Sequence, residues 1–241
     1  MNIGILYIAT DRYIELYEDF KKTFDKYFLT RHNKKYFIIT DNKEFKCCDN
    51  EEKILIEDEG WRMTNLKRFE YFLKCDLSDM DYVFFFNGNS ICRDEVFDND
   101  IIPNEDEKYL CGTWLFFHNA LNPYDNNKNS ACYMPCKLNY AFRGGLLGGR
   151  TQEFIKMCNS CIEMIKYDLS MNYIPKWNDE AYFNKYVENL NIKKVEINIF
   201  SYFNFKNFKS KILTRYKQNV FGKDYIMKRK SIKNYNSALL N

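Results

Sequence analysis

The sequence predicts an α/β fold, a single domain with a central, mostly parallel mixed sheet covered by helices. Two observations carry that expectation. Short apolar runs alternate with stretches whose apolar residues recur at helical spacing, the pattern of strand–helix–strand units. The chain can also bury one sizeable core, with 241 residues, 46% of them hydrophobic and 18% aromatic.

Ile3–Ile8 is an apolar run that reads as a buried strand. Tyr13–Phe28 follows with Tyr13, Leu16, Tyr17, Phe20, Phe24 and Tyr27 on one face, a helix with Asp11 near its start as a cap. Tyr36–Ile39 is a second strand, closed by Thr40, Asp41 and Asn42, and Ile54–Ile56 is a third. Met63–Lys74 carries Leu66, Phe69, Tyr71, Phe72 and Leu73 at helical spacing, and Asp81–Phe86 is the most apolar strand. Thr151–Tyr167 and Asn178–Asn189 read as helices and Val195–Ile199 as a strand. A first unit over 1–205 and a basic tail over 206–241 follow from the charge pattern.

That tail holds ten Lys or Arg between Lys206 and Lys233 against one acid, Asp224, while the whole chain carries only +3. An acidic body with a basic tail implies that the tail meets an anion: a phosphate ligand, a nucleic acid or an acidic membrane surface. A solvated tail is the plain alternative. No apolar run approaches the roughly 20 residues of a bilayer span, and the opening residues lack a charged-then-apolar leader. The cytoplasm is the expected compartment, with peripheral contact at the inner membrane surface through the tail. Nine cysteines cannot all pair with one another, so free thiols are expected. Cys158–Cys161 and Cys132–Cys136 have no second pair at zinc-site distance.

In doubly wound sheets ligands sit beyond the carboxyl ends of the strands. Ile8–Asp11, Thr40–Asp41 and Asn87–Asn89 should converge there. None is a glycine-rich phosphate loop, and His32 and His118 stand in no zinc or triad spacing. Three segments remain. Asn87 and Asn89 follow the strongest strand, where their side chains point the same way if the strand continues. Amide oxygens bind a divalent ion weakly but still hydrogen-bond a sugar or phosphate; an Asn-Gly turn accounts for the pair as well. Arg143–Arg150 concentrates four of the nine glycines, which suits close approach to a ligand or a tight strand-to-helix corner. Trp177-Asn-Asp-Glu180 seats carboxylates beside an aromatic ring, as a sugar site does; Asn178 as a cap, with Asp179 and Glu180 in the first turn, is the plain alternative.

At these residues the sequence resembles a bacterial member of glycosyltransferase family 6, the retaining galactosyl- and N-acetylgalactosaminyltransferases. Trp61-Arg-Met-Thr-Asn-Leu-Lys-Arg-Phe-Glu70 resembles the family's Trp-Gln-Asp-x-Ser-Met-x-Arg-Met-Glu, and Asp79–Val83 resembles the run into its Asp-Val-Asp. Arg143–Gly149 matches x-Gly-Gly-x-x-Gly-Gly, and Trp177–Tyr186 matches Trp-His-Asp-Glu-Ser-x-x-Asn-Lys-Tyr. The resemblance implies a GT-A nucleotide-sugar transferase fold, a UDP-GalNAc or UDP-galactose donor, a galactose acceptor fucosylated at its 2-position and an α-1,3 product. Carried over by position, Ile8, Ala9, Thr10 and Tyr13 would hold uridine, with Tyr13 on uracil. Asn65, Arg68, Asn87 and Asn89 would face ribose, donor sugar and phosphate. Arg143, Gly144 and Gly145 would line the donor-sugar pocket. Trp177, Asn178, Asp179 and Glu180 would sit between the two sugars, with Glu180 and Asp179 catalytic. Gly145 would leave room for an N-acetyl group.

Asn stands at both positions of the Asp-x-Asp motif, so no divalent metal is expected. Its charge would come from Arg68 and from a tail folded over UDP through some of Lys217, Lys223, Lys228, Arg229 and Lys230. No nucleic-acid partner is expected under this reading. A catalytically inactive nucleotide-sugar or glycan-binding module is the alternative from another class, as is a basic-tailed nucleic-acid binder.

Overall fold

The computed structural model describes residues 1–116, 124–135, 140–200, 210–215, 221, 222 and 225. His118, Cys136 and the tail cations Lys206, Lys209, Lys217, Lys223, Lys228, Arg229, Lys230 and Lys233 lie outside the described residues.

Along the chain, β1 (Asn2–Ala9) leads into a 3₁₀ turn (Asp11–Leu16) and α1 (Tyr17–Tyr27). There follow β2 (Asn33–Thr40), β3 (Glu51–Leu55), α2 (Gly60–Leu66), α3 (Arg68–Phe72), β4 (Tyr82–Phe86), β5 (Ser90–Cys92), α4 (Asp98–Ile101) and β6 (Leu110–Phe116). The second half adds β7 (Tyr140–Arg150), α5 (Thr151–Ser170), α6 (Asp179–Tyr186), β8 (Lys193–Val195), β9 (Ile197–Phe200) and β10 (Ile212–Arg215).

Seven strands form one sheet in the order β3-β2-β1-β4-β7-β6-β8. β1 pairs in parallel with both β2 and β4, so strand order departs in opposite directions from β1. A crevice opens at such a switch point. Strand alternation feeds two cores. Leu6, Phe37, Ile39 and Phe85 pack under α3, α5 and α6. Ile5, Tyr7, Ile38, Phe84 and Phe86 pack with Phe20, Phe24 and Phe28 from the α1 side. A second sheet, β5-β10-β9, inserts β10 from the basic segment between two strands of the body, and its Ile212 and Leu213 are buried. Two tail cations reach acids of the body: Lys211 Nζ lies 2.7 Å from Asp100 Oδ2 and Arg215 Nη1 lies 2.9 Å from Asp19 Oδ2.

The structure revises several expectations. Asp11 does not cap α1: its φ is 55°, its N–H donates to Asp41 Oδ1 at 3.0 Å, and its carboxylate accepts the Tyr225 hydroxyl at 2.7 Å. The expected helix over Tyr13–Phe28 accordingly begins as a 3₁₀ turn. The expected Met63–Lys74 helix is two helices joined at Lys67. Asn178 makes no cap, because φ 48° and ψ −126° take it out of capping geometry; its Oδ1 instead accepts Arg62 Nε at 3.3 Å. Val195–Ile199 divides at Glu196 between the two sheets. Arg143–Arg150 is the end of an 11-residue strand that passes directly into α5 at Thr151.

The described cysteines are free thiols, and no group of three or more His, Cys, Asp or Glu among the described residues could hold a metal. No described helix is long and apolar enough to cross a membrane.

Candidate active site

The crevice beyond β1 and β4 is a cleft lined by Ile8, Thr10, Tyr13, Trp61, Thr64, Asn65, Arg68, Phe85, Asn87 and Gly88. Six residues expected at the donor, Ile8, Thr10, Tyr13, Asn65, Arg68 and Asn87, therefore share one cavity wall. Ala9 sits fully buried behind it, its carbonyl taken by Thr40 Oγ1 at 2.6 Å. The two asparagines do not face the cleft together, because β4 ends at Phe86 and Asn87–Asn89 turns. Asn87 lines the cleft; Asn89 is buried and donates its amide to the Arg215 carbonyl. Neither brings the anionic oxygens that a tightly held Mg²⁺ or Mn²⁺ takes, so the pair does not fit a metal clamp.

Phe221 and Tyr225 of the tail meet the side of the cleft formed by the turn after β1. Phe221 packs on Tyr13 with ring centroids 5.0 Å apart and is buried with Leu16. The Arg12 guanidinium lies 5.4 Å from the Phe221 ring and 5.2 Å from that of Tyr225.

Arg68 joins the cleft to the carboxylates. Its Nη1 lies 3.0 Å from Asp179 Oδ2 and donates to the Gly144 carbonyl at 3.2 Å. Its Nη2 donates to Asn65 Oδ1 at 3.1 Å, and the Phe85 ring lies 4.8 Å beneath it. Arg68 and Asp179 are both almost fully buried, 5% and 3% exposed. Burial nonetheless outweighs this partner and pushes the Asp179 carboxyl up to about 7, with the adjacent Glu180 adding to the rise.

Glu180 Oε1 accepts the Gly144 N–H at 2.9 Å. Its Oε2 is buried without a hydrogen bond, 3.5 Å from Arg143 Nε. The Arg143 guanidinium in turn lies 5.3 Å from the Trp177 ring. Gly144 becomes available to these side chains because the β6–β7 register jumps: Thr113 faces Arg143 but Gly112 faces Leu147, leaving residues 144–146 opposite no β6 residue.

The two glycine pairs do different work. A Cβ on Gly144 would stand 2.8 Å from Arg68 Nη1 and 3.1 Å from Asp179 Oδ2. One on Gly145 would meet, among the described residues beyond its chain neighbours, Thr113 Cγ2 at 3.3 Å and Asn87 Nδ2 at 3.7 Å. Gly148 and Gly149 admit close packing instead, since a Cβ would fall 2.2 Å from Phe84 Cδ1 and from the Tyr109 carbonyl respectively.

This arrangement, a cleft whose Arg68 pairs with the Asp179 carboxylate, coincides with a sequence match. The family model of glycosyltransferase family 6 matches residues 1–202. The chain belongs to glycosyltransferase family 6. A curated Escherichia coli relative, "O-antigen biosynthesis glycosyltransferase WbnI", is 31% identical over 191 residues, covering 77% of this chain and 82% of that protein. The α/β domain with its seven-stranded mixed sheet is consistent with the GT-A-like transferase fold. As a family 6 transferase it takes a nucleotide-sugar donor and a glycan acceptor.

Sequence reasoning missed four residues around this cleft and its carboxylates. Trp61 and Thr64 line the cleft and lie within the motif that carried the resemblance. Thr113 faces Gly145 from an unremarkable strand, with no local signal to single it out. Asn184 belongs to the Trp177–Tyr186 motif but has no acid–base chemistry to draw notice.

Proposed function

We propose that this transferase moves GalNAc, and less efficiently galactose, from UDP to the 3-hydroxyl of a 2-fucosylated galactose, with retention and without a divalent ion. The supporting observation is Glu180: one oxygen is fixed by the Gly144 N–H, and the other is buried with no hydrogen bond, 3.5 Å from Arg143 Nε and next in sequence to the Asp179 that pairs with Arg68 of the cleft wall. A carboxylate held there stabilises the positive charge that develops at the anomeric carbon as its bond to the UDP oxygen breaks. The acceptor oxygen then bonds to that carbon, and its hydroxyl proton leaves with the departing diphosphate.

Gly145 supports the donor choice, since among the described residues beyond its chain neighbours a Cβ there would come within 4 Å of the side chains of Thr113 and Asn87 alone. Arg68, with its charge inside the cleft wall, and the tail docked on Tyr13 support diphosphate neutralisation by protein cations. The cytoplasm, where UDP-sugars are made, is the compartment this reading favours.

A donor-by-acceptor transfer screen with and without EDTA tests the proposal. UDP-GalNAc with a fucosylated galactoside is expected to give the highest kcat/KM, unchanged by EDTA. A clear preference for UDP-galactose, or activity lost in EDTA and restored by Mn²⁺, would refute the corresponding part. Donor binding with no transfer to any acceptor would leave a glycan-binding module.

A further inference from the structure

We propose that Asn184 is a positioning residue that locks the catalytic carboxylates to the donor-sugar backbone. The inference rests on the role given to Glu180 above. Asn184 is 3% exposed and sits one helical turn after Glu180 on α6. Its Oδ1 accepts the Phe142 N–H at 2.9 Å, and its Nδ2 donates to the Phe142 carbonyl at 2.9 Å. The same Nδ2 donates to the Glu180 carbonyl at 2.7 Å. The amide thus satisfies both backbone groups of Phe142, as a peptide of a neighbouring strand would.

Two residues further along β7 the pattern repeats with other side chains. Gly144 gives its N–H to Glu180 and its carbonyl accepts from Arg68. Residues 180 and 184 lie about 6 Å apart along a helix axis, and alternate strand residues are about 6.7 Å apart. One face of α6 therefore matches two successive β7 peptides. The match straddles the point where β7 loses its register with β6: Phe142 still faces Trp114, while Gly144 has no β6 partner, so Glu180 and Arg68 take up backbone groups of Gly144 just past the ladder. Asn184 carries no charge and faces no substrate. Its amide fixes how far α6 can slide along β7, and with it the place of Glu180 relative to Gly144. Asp and Ser could satisfy only part of that pattern, and Gln would carry its amide one methylene too far.

Asn184→Ala tests this against Val187→Ala, a cavity-forming change at a buried residue at the end of the same helix. Asn184→Ala is expected to lower kcat at least 30-fold while UDP affinity stays within threefold, because Ile8, Thr10 and Tyr13 belong to β1 and the turn after it. Val187→Ala, at an equal or larger fall in Tm, should keep kcat within threefold of wild type. Amide hydrogen exchange supplies a readout that needs no activity. Exchange at Gly144 should rise at least tenfold in Asn184→Ala and remain slow in Val187→Ala. If Asn184→Ala does not fold, the wild-type chain still decides: Phe142 and Gly144 must open in one step with one denaturant dependence. A near-normal kcat in Asn184→Ala, an equal kcat loss in Val187→Ala, or separate opening of Phe142 and Gly144 would overturn the assignment. Absence of transfer by the wild-type chain would defeat the proposed activity instead, and it is read in the donor screen independently of the exchange data.

Discussion

A carboxyl buried beside another carboxyl holds its proton longer than one in water, and Asp179 does so up to about pH 7 despite Arg68 at 3.0 Å. The sign of the consequence is fixed by linkage. Between the unfolded carboxyl value of about 4 and the folded value of about 7, the native chain binds more protons than the unfolded one. This group's contribution to stability therefore falls as pH rises through that window. Activity should move the opposite way, because the ionised carboxylate is what keeps Arg68 on Gly144. A pH profile of kcat/KM is expected to show a rising limb near 7 from the Asp179 carboxyl, and Asp179→Asn should flatten it. A limb that persists in Asp179→Asn would assign the titration elsewhere. The two neighbouring glycines make a second contrast. Gly144→Ala pushes a methyl into Arg68 and Asp179 and should cut kcat at least 100-fold. Gly145→Ala meets Thr113 Cγ2 at 3.3 Å, a tight contact that a shift of a few tenths of an ångström by that side chain relieves, and should stay folded while raising the galactose-to-GalNAc ratio of kcat/KM about tenfold, the scale of one methyl in a sugar pocket. Measured donor ratios for the two variants check both statements.

At the scale of elements, what the sequence disclosed followed from how strongly each segment's pattern departs from a loop. β1, β2 and β4 were legible because Ile3–Ile8, Tyr36–Ile39 and Val83–Phe86 are apolar on both faces. α5 was legible from Phe154, Met157, Cys158, Cys161, Ile162 and Ile165 on one buried face. β7 was not, since four glycines mask a strand whose pairing comes from β4 and β6 rather than from its own propensity. β10 was hidden because only Ile212–Arg215 of a lysine-rich segment forms it, and its partners lie more than 100 residues earlier at β5 and next to it at β9. Motif matching named residues that the structure brings together, six on one cleft wall and Asp179 against Arg68; it could not reveal that Asn89 turns to Arg215 or that Asn178 carries a strained backbone instead of a cap. The tail's role belongs to this scale too. Phe221 is buried on Leu16 and Tyr13, so a chain ending at Phe221 should keep its Tm within a few degrees. Without the basic residues that follow, it should lose at least tenfold in transfer and hydrolyse a larger share of donor. Normal kinetics in the truncated chain would assign the tail's charge to another partner, which vesicles of anionic lipid would identify.

Across the whole molecule, three layers of constraint converge on one carboxylate. The switch point of the seven-stranded sheet opens the crevice beside β1 and β4. The break in the β6–β7 register frees Gly144, and α6 delivers Asp179, Glu180 and Asn184 to that opening. Sugar transfer through Glu180 is thus the claim on which the rest depends. The most direct test is sugar transfer from UDP-GalNAc by wild type and Glu180→Gln, with UDP affinity measured by calorimetry on the same samples. The account predicts that Glu180→Gln loses at least 1,000-fold in kcat and binds UDP within threefold of wild type. Near-wild-type kcat in Glu180→Gln would contradict it, reducing Glu180 to an acid at the start of a helix.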